Sequence, residues 1–144
     1  MKPAVFLGLL ACLAMPLRAA EPLISVENPW IFAVPPGAKD TAAFMTLVNT
    51  GTVPVRVTAG KTSAAARVAP MVTTKHEGQM GMKDVPYLEV PAKGKVTLAP
   101  GGDHLMIYGL KSPLKAGEPV VLSLTLEPGG TIEVKAIVSK REPK

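Results

Sequence analysis

The chemistry-bearing residues of this chain crowd between Met71 and Met106. That stretch holds both histidines, His76 and His104, and Met71, Met80, Met82 and Met106 out of seven methionines in all. Thioether sulfur and imidazole nitrogen are soft, neutral donors, a set that selects an ion such as Cu(I) over Ca²⁺, Mg²⁺ or Mn²⁺. The single cysteine, Cys12, lies far upstream, so no thiolate competes with them. The reading from donor chemistry is a copper-binding module.

Spacing narrows the set. His104-Leu105-Met106-Ile107-Tyr108 reads as a strand, and its period of two puts His104 and Met106 on one face with Leu105 and Ile107 on the other. Met80 and Met82 have the same spacing just after a Glu77-Gly78 turn, in a polar setting of Glu77, Gln79, Lys83 and Asp84 where core packing makes little sense. Met71, across the Lys75-to-Gln79 loop, closes the set, although after Pro70 in V-A-P-M-V it reads equally well as core. Met45 in an apolar run reads as core filler. His76, in a Lys-His-Glu-Gly turn, reads as an exposed loop residue that would matter only if it helps capture metal. Asp84, Glu89 and Asp103 lie near the set and read as solvated carboxylates. No nucleophile–base pair, carboxylate dyad or phosphate loop is recognisable, so the chain does not read as an enzyme.

The elements that must position these donors read as strands. Fifteen prolines and thirteen glycines divide a chain of 144 residues that is 47% hydrophobic but only 4% aromatic, which favours many short strands over a helical bundle. Leu23–Val26 and Trp30–Val34 read as two strands separated at Pro29. Ala42–Asn49 and Val53–Ala59 read as a hairpin around Asn49-Thr50-Gly51-Thr52. Val68–Thr74, Lys95–Leu98 and His104–Tyr108 follow. Val120–Leu126 and Thr131–Val138 form a closing hairpin around Pro128-Gly129-Gly130. About eight strands with no helix-period stretch predict one all-β domain, a sandwich or small barrel. The tail, Lys140–Lys144, reads as frayed.

Residues 1–20 stand apart. Lys2, the apolar run Ala4–Ala14 and the small residues after Leu17 read as a secretory signal peptide, too short for a membrane span and cut after Ala19 or Ala20. The less favoured alternative is lipid attachment at Cys12 within Leu9-Leu10-Ala11-Cys12. Residues 21–144 would then be the functional domain, in the periplasm or otherwise outside the cytoplasm. Removing the leader takes away Lys2, Arg18 and Cys12, so the net charge falls from +5 to about +3. The cations that remain are scattered rather than striped with aromatics, which speaks against nucleic-acid binding. Without cysteine the domain has neither disulfides nor a thiolate site.

The sequence also resembles a known family. Met71, ten residues, Met82, twenty-one residues, His104, one residue, Met106 is similar to the ligand signature of the periplasmic copper chaperones called PCuAC, whose first ligand is His or Met. The run N-P-W-I-F-A-V-P-P-G-A-K-D-T-A-A-F-M-T-L-V-N-T-G resembles that family's opening strands, and P-G-G-D-H-L-M-I-Y-G-L-K-S-P-L-K-A-G-E its closing segment. The resemblance implies a cupredoxin-like, immunoglobulin-type Greek-key β-sandwich. It implies Cu(I) held by Met71, Met82, His104 and Met106. It further implies a monomer that supplies copper to a membrane acceptor, the binuclear centre of cytochrome c oxidase in subunit II or a Sco-type protein. Some members carry a His- and Met-rich tail that holds Cu(II); S-K-R-E-P-K has no such donors, and His76 with His104 is the remaining candidate pair for Cu(II).

Two other function classes compete. An electron-transfer cupredoxin needs a cysteine thiolate for a blue-copper site, which the domain lacks. A structural or adhesive β-sandwich, its methionines serving only as packing, is the alternative that a Cu(I) titration separates.

Overall fold

Apolar residues alternate with polar ones through most of the chain, and strands are what this alternation forms. A computed structural model describes residues 24–144; the expected leader with Cys12 lies outside the described residues. The strands are β1 (Ile24–Phe32), β2 (Asp40–Asn49), β3 (Val55–Lys61), β4 (Ala65–His76), β5 (Gln79–Asp84), β6 (Leu88–Val90), β7 (Lys95–Thr97), β8 (His104–Leu110), β9 (Pro119–Glu127) and β10 (Gly130–Ser139). Among the described residues there is no helix.

Hydrogen bonding joins the strands in the order β5-β4-β8-β2-β1-β10-β9-β3-β6, with β7 on β2. The sheet folds over itself into a sandwich. One join is the parallel pairing of β1 with β10, Trp30 opposite Ile137. The other is a short contact of β3 with β4, Gly60 opposite Val68. That contact requires glycine, because a Cβ at Gly60 would stand 2.8 Å from Cγ1 of Val68. Ile31, Leu47, Val57, Leu105, Ile107, Leu122 and Leu124 are fully buried between the layers. Met45 is buried with them, as its apolar run led one to expect.

Three expectations are corrected. Leu23–Val26 and Trp30–Val34 are not two strands: β1 runs through Pro29 by means of a bulge between Glu27 and Trp30, with Asn28 at φ 48°. A bulge leaves a residue unpaired, so proline's missing N–H is tolerated there. β2 and β3 do not form a hairpin, because β3 pairs with β9, β6 and β4. The buried Asn49 redirects the chain: its Nδ2 donates to the carbonyls of Val53 (2.8 Å) and Val90 (3.1 Å), and its Oδ1 accepts from the N–H of Gly51. Finally, β5 and β6 are strands where none was read. β4 turns into β5 through Glu77 and Gly78, both at positive φ, the conformation of a two-residue type I′ turn.

Candidate metal centre

β8 lies between β4 and β2, and its inward residues leave the alternate ones to an outer face. Leu105 and Ile107 enter the core opposite Pro70 and Val68, so His104 and Met106 face outward opposite Met71 and Ala69. β5 extends this face: Met82 stands opposite Thr73, and Asp84 opposite Met71. Directly opposed residues of an antiparallel pair point to the same side. Met71, Met82, His104 and Met106 therefore share one face of the sheet; the period of two predicts this for His104 and Met106 alone.

This face carries its own small apolar cluster. Trp30 (3% exposed), Phe44 (5%) and Met71 (8%) are buried, and so is His104 at 5%, although the first three stand outside the central core. The rings of Trp30 and Phe44 are 4.7 Å apart, and those of Phe44 and His104 6.2 Å. Sequence reasoning passed over Trp30 and Phe44; their place in β1 and β2, directly opposite each other, was hidden with the β1 register.

The loop before β8 fixes the imidazole. Nδ1 of His104 lies 3.0 Å from the carbonyl oxygen of Gly102. A carbonyl only accepts, so Nδ1 carries the proton and Nε2 of the neutral ring keeps the free lone pair. The same carbonyl accepts from Oγ1–H of Thr73 at 2.7 Å, while Oδ1 of Asp103 accepts from the Thr73 N–H at 3.3 Å. Thr73 thus ties the loop to β4. The clue in the sequence was its position two residues after Met71, on the donor face.

Two hollows open over the donors. One of about 330 Å³ is lined by Phe32, Phe44, Pro100, Met82, His104 and Met106. Its neighbour, about 210 Å³, is lined by Thr73, Met80, Met82, Gly102 and His104. Met82, His104 and Met106 line the first hollow together, and Met71 lies deeper, opposite His104. No three of His, Cys, Asp and Glu gather in a metal-holding group among the described residues. What the face offers is thioethers and one imidazole.

Other sequence expectations need revision. His76 is exposed, as read, its Nε2 3.9 Å from Oε1 of Glu77. It lies five residues along β4 from Met71, the partner of His104, hence about 16 Å away at the rise of a strand. That is too far for His76 and His104 to share one ion. The carboxylates are engaged rather than merely solvated. Asp84 accepts from the Tyr108 hydroxyl at 2.9 Å and pairs with Arg67 at 3.5 Å, Glu89 pairs with Arg56 at 3.6 Å, and Asp103 holds Thr73. The Arg67 guanidinium also lies 4.3 Å over the Tyr108 ring. Burial first, and then the hydrogen bond and charge of Asp84, push the Tyr108 phenol above its ordinary value, with Arg67 opposing.

The architecture matches that of known PCuAC domains. The copper-bound PCuAC domain from PmoF2 superposes with a TM-score of 0.70 at 23% identity, covering 84% of this chain and 96% of that one. The solution structure of CuI-DR1885 from Deinococcus radiodurans is 43% identical, with a TM-score of 0.68 over 84% of this chain and 82% of that one. The LpqE-like family model matches residues 24–138. The chain belongs to the LpqE-like, PCuAC-type family. This PCuAC-type chain is also 33% identical over 138 residues to a Leifsonia xyli protein named "Putative lipoprotein Lxx21020", covering 91% of this chain and 82% of that one.

Proposed function

We propose that this chain is an exported copper carrier that binds one Cu(I) through Met71, Met82, His104 and Met106. The observation that carries the reading is one hollow lined by His104, Met82 and Met106, with the imidazole held so that Nε2 keeps its lone pair. Met71, opposite His104, supplies the third thioether. Such a set fits a d¹⁰ ion, which accepts low coordination and polarizable sulfur, and suits Cu(II) poorly, which wants nitrogen and oxygen in a tetragonal array. The Deinococcus radiodurans protein solved with CuI, at 43% identity, supports the same ion here.

The carrier role follows from how the donors are placed. His104 and Met71 are nearly buried, whereas Met82 is 66% exposed, so an acceptor's ligands have a side from which to approach. The acceptor in this reading is membrane-bound: the binuclear centre of cytochrome c oxidase, in subunit II, or a Sco-type protein. Residues 1–20 act as the export signal and residues 21–144 as a monomeric carrier in the periplasm or its equivalent; the relative named as a lipoprotein agrees with a place outside the cytoplasm.

The test is an anaerobic Cu(I) titration against a chromophoric chelator. One tight equivalent per chain supports the reading. No uptake would leave the structural or adhesive sandwich, with packing methionines, in its place. Transfer to an isolated acceptor domain, followed by the absorption of its copper centre, tests the delivery step separately.

A further inference from the structure

Met80 has no place in the four-residue set. Yet it is 66% exposed, as Met82 is, and it lines the smaller hollow with Met82 and His104. It stands opposite Lys75 on β4, while Met82 stands opposite Thr73. The two methionines therefore share a face of β5, about 6.6 Å apart along the strand. β5 is the edge of its layer and every residue of it is exposed. Two long, flexible thioethers held in water on a polar hairpin add nothing to the core, where methionine otherwise fills gaps. The donors instead form a series running outward. Met71 and His104 are nearly buried, Met106 is half-buried, and Met82 and Met80 are exposed, Met80 being nearer the hairpin tip.

We infer that Met80 is a transfer ligand, which takes Cu(I) from the inner set together with Met82 and presents it to an acceptor. The inference rests on the copper reading above. Met80 lies four residues along β4 from the Met71–His104 pair, about 13 Å at the rise of a strand, and so adds nothing to resting affinity. Its sulfur is, however, within a side chain's reach of the Met82 sulfur. The step is ligand exchange: the Cu–S bond to Met82 is kept and one to Met80 forms, while the bonds to Met71, His104 and Met106 break and leave those donors free. Copper stays Cu(I), and no electron moves. The low coordination that Cu(I) tolerates makes the two-thioether state accessible.

A ligand of this kind changes rate and not affinity, which separates it from a resting ligand. Wild type, Met80→Ile and Met80→His, each loaded with one Cu(I), are mixed anaerobically with excess bicinchoninate; affinity is measured by equilibrium competition and transfer by stopped flow. Met80→Ile should keep its affinity and its circular dichroism. Its transfer should slow by about tenfold, equivalent to ~1.4 kcal/mol on the barrier. Met80→His, which restores a donor, should recover most of the rate. Transfer by Met80→Ile at the wild-type rate overturns the inference. A tenfold loss of its affinity does so too, by making Met80 a resting ligand. Failure of wild type to take up Cu(I) is a distinct result and removes the copper reading itself.

Discussion

Met71 on β4 stands directly opposite His104 on β8, both nearly buried. Opposed residues of this kind have Cβ atoms about 4.5–5.5 Å apart, so a thioether and an imidazole from the pair can meet at one ion. The face they share also brings Met106, two residues beyond His104, and Met82, one strand further out. Thr73 and Gly102 turn the pair into a fixed arrangement, because the carbonyl that orients His104 is itself held by the Thr73 hydroxyl.

Met82→Ile and Met106→Ile keep apolar volume and remove a sulfur. Met82 is 66% exposed, and surface changes of this sort shift stability by about 0.5 kcal/mol or less, so folding should be retained. Cu(I) affinity should fall about a hundredfold, ~2.7 kcal/mol. Met45→Ile, buried in the core at 2% exposure, is the control: it should leave affinity alone while costing up to about 1.5 kcal/mol of stability. Circular dichroism and chelator competition measure both quantities. Unchanged affinity in both site variants removes Met82 and Met106 from the site.

Of the proposed donors only His104 takes up a proton; the three thioethers stay neutral at every pH. Protons compete with Cu(I) for Nε2, so binding should weaken as pH falls into the acid range. His104→Met should bind Cu(I) with a much flatter pH profile. The Gly102 carbonyl keeps its hydrogen bond from Thr73 in that variant, so no buried acceptor is orphaned. Equal slopes for wild type and variant would show that His104 is not a ligand.

Thr73→Val tests the positioning of the imidazole without touching a donor. It removes the 2.7 Å hydrogen bond to Gly102 at nearly constant shape, a loss of about 1 kcal/mol in stability. The loop before β8 should loosen, and Cu(I) affinity should drop severalfold although every sulfur and nitrogen ligand remains. Thermal melts of the metal-free protein and a Cu(I) competition titration read the two effects. An affinity equal to wild type would mean that the Thr73–Gly102 tie does not position the site.

Tyr108 offers a pH test on the metal-free protein. Burial raises its phenol most, with Asp84 adding to the rise through a hydrogen bond and its charge. Asp84→Asn should lower the tyrosinate midpoint, seen in ultraviolet absorbance, and Arg67→Met should raise it, since Arg67 pulls the other way. The sign for stability follows: a phenol raised in the folded state favours folding at neutral pH, and that contribution is lost as pH climbs through the raised value. A midpoint unmoved by Asp84→Asn would contradict the assignment.

How legible the molecule was depended on whether a local pattern had a competing long-range one. The β9–β10 hairpin around Pro128-Gly129-Gly130 and the His104–Met106 face were readable, because alternation alone determines them. The β2–β3 hairpin was misread because Asn49-Thr50-Gly51 is good turn chemistry, and nothing local shows that the Asn49 amide reaches Val90, forty-one residues away. β1 was cut at Pro29 because the Asn28 bulge has no sequence mark. β5 was missed although Gln79-Met80-Gly81-Met82-Lys83 alternates, because the run is short, contains a glycine and lies in a polar setting, with every residue exposed. Its pairing comes from the Glu77-Gly78 turn, and with it comes the register that sets Met82 opposite Thr73.

The donors on this face decide which oxidation state of copper is held. The face offers one imidazole, thioethers and no thiolate, and His76 is about 16 Å along β4 from the His104 level by strand rise, so the two imidazoles cannot serve one ion. Cu(I) should therefore be preferred over Cu(II) by a wide margin. His76→Ala should leave Cu(I) affinity unchanged, and any weak Cu(II) signal it removes should come from the hairpin tip alone. Anaerobic Cu(I) titration beside electron paramagnetic resonance of Cu(II)-treated protein measures both. His104→Met should flatten the pH profile of Cu(I) binding while leaving a hairpin-tip Cu(II) signal in place, because the sites are separate. A stoichiometric Cu(II) spectrum with two nitrogen ligands, lost equally on replacing His76 or His104, would mean that the hairpin folds back over the donor face and that the strand geometry described here is not the one the loaded protein uses.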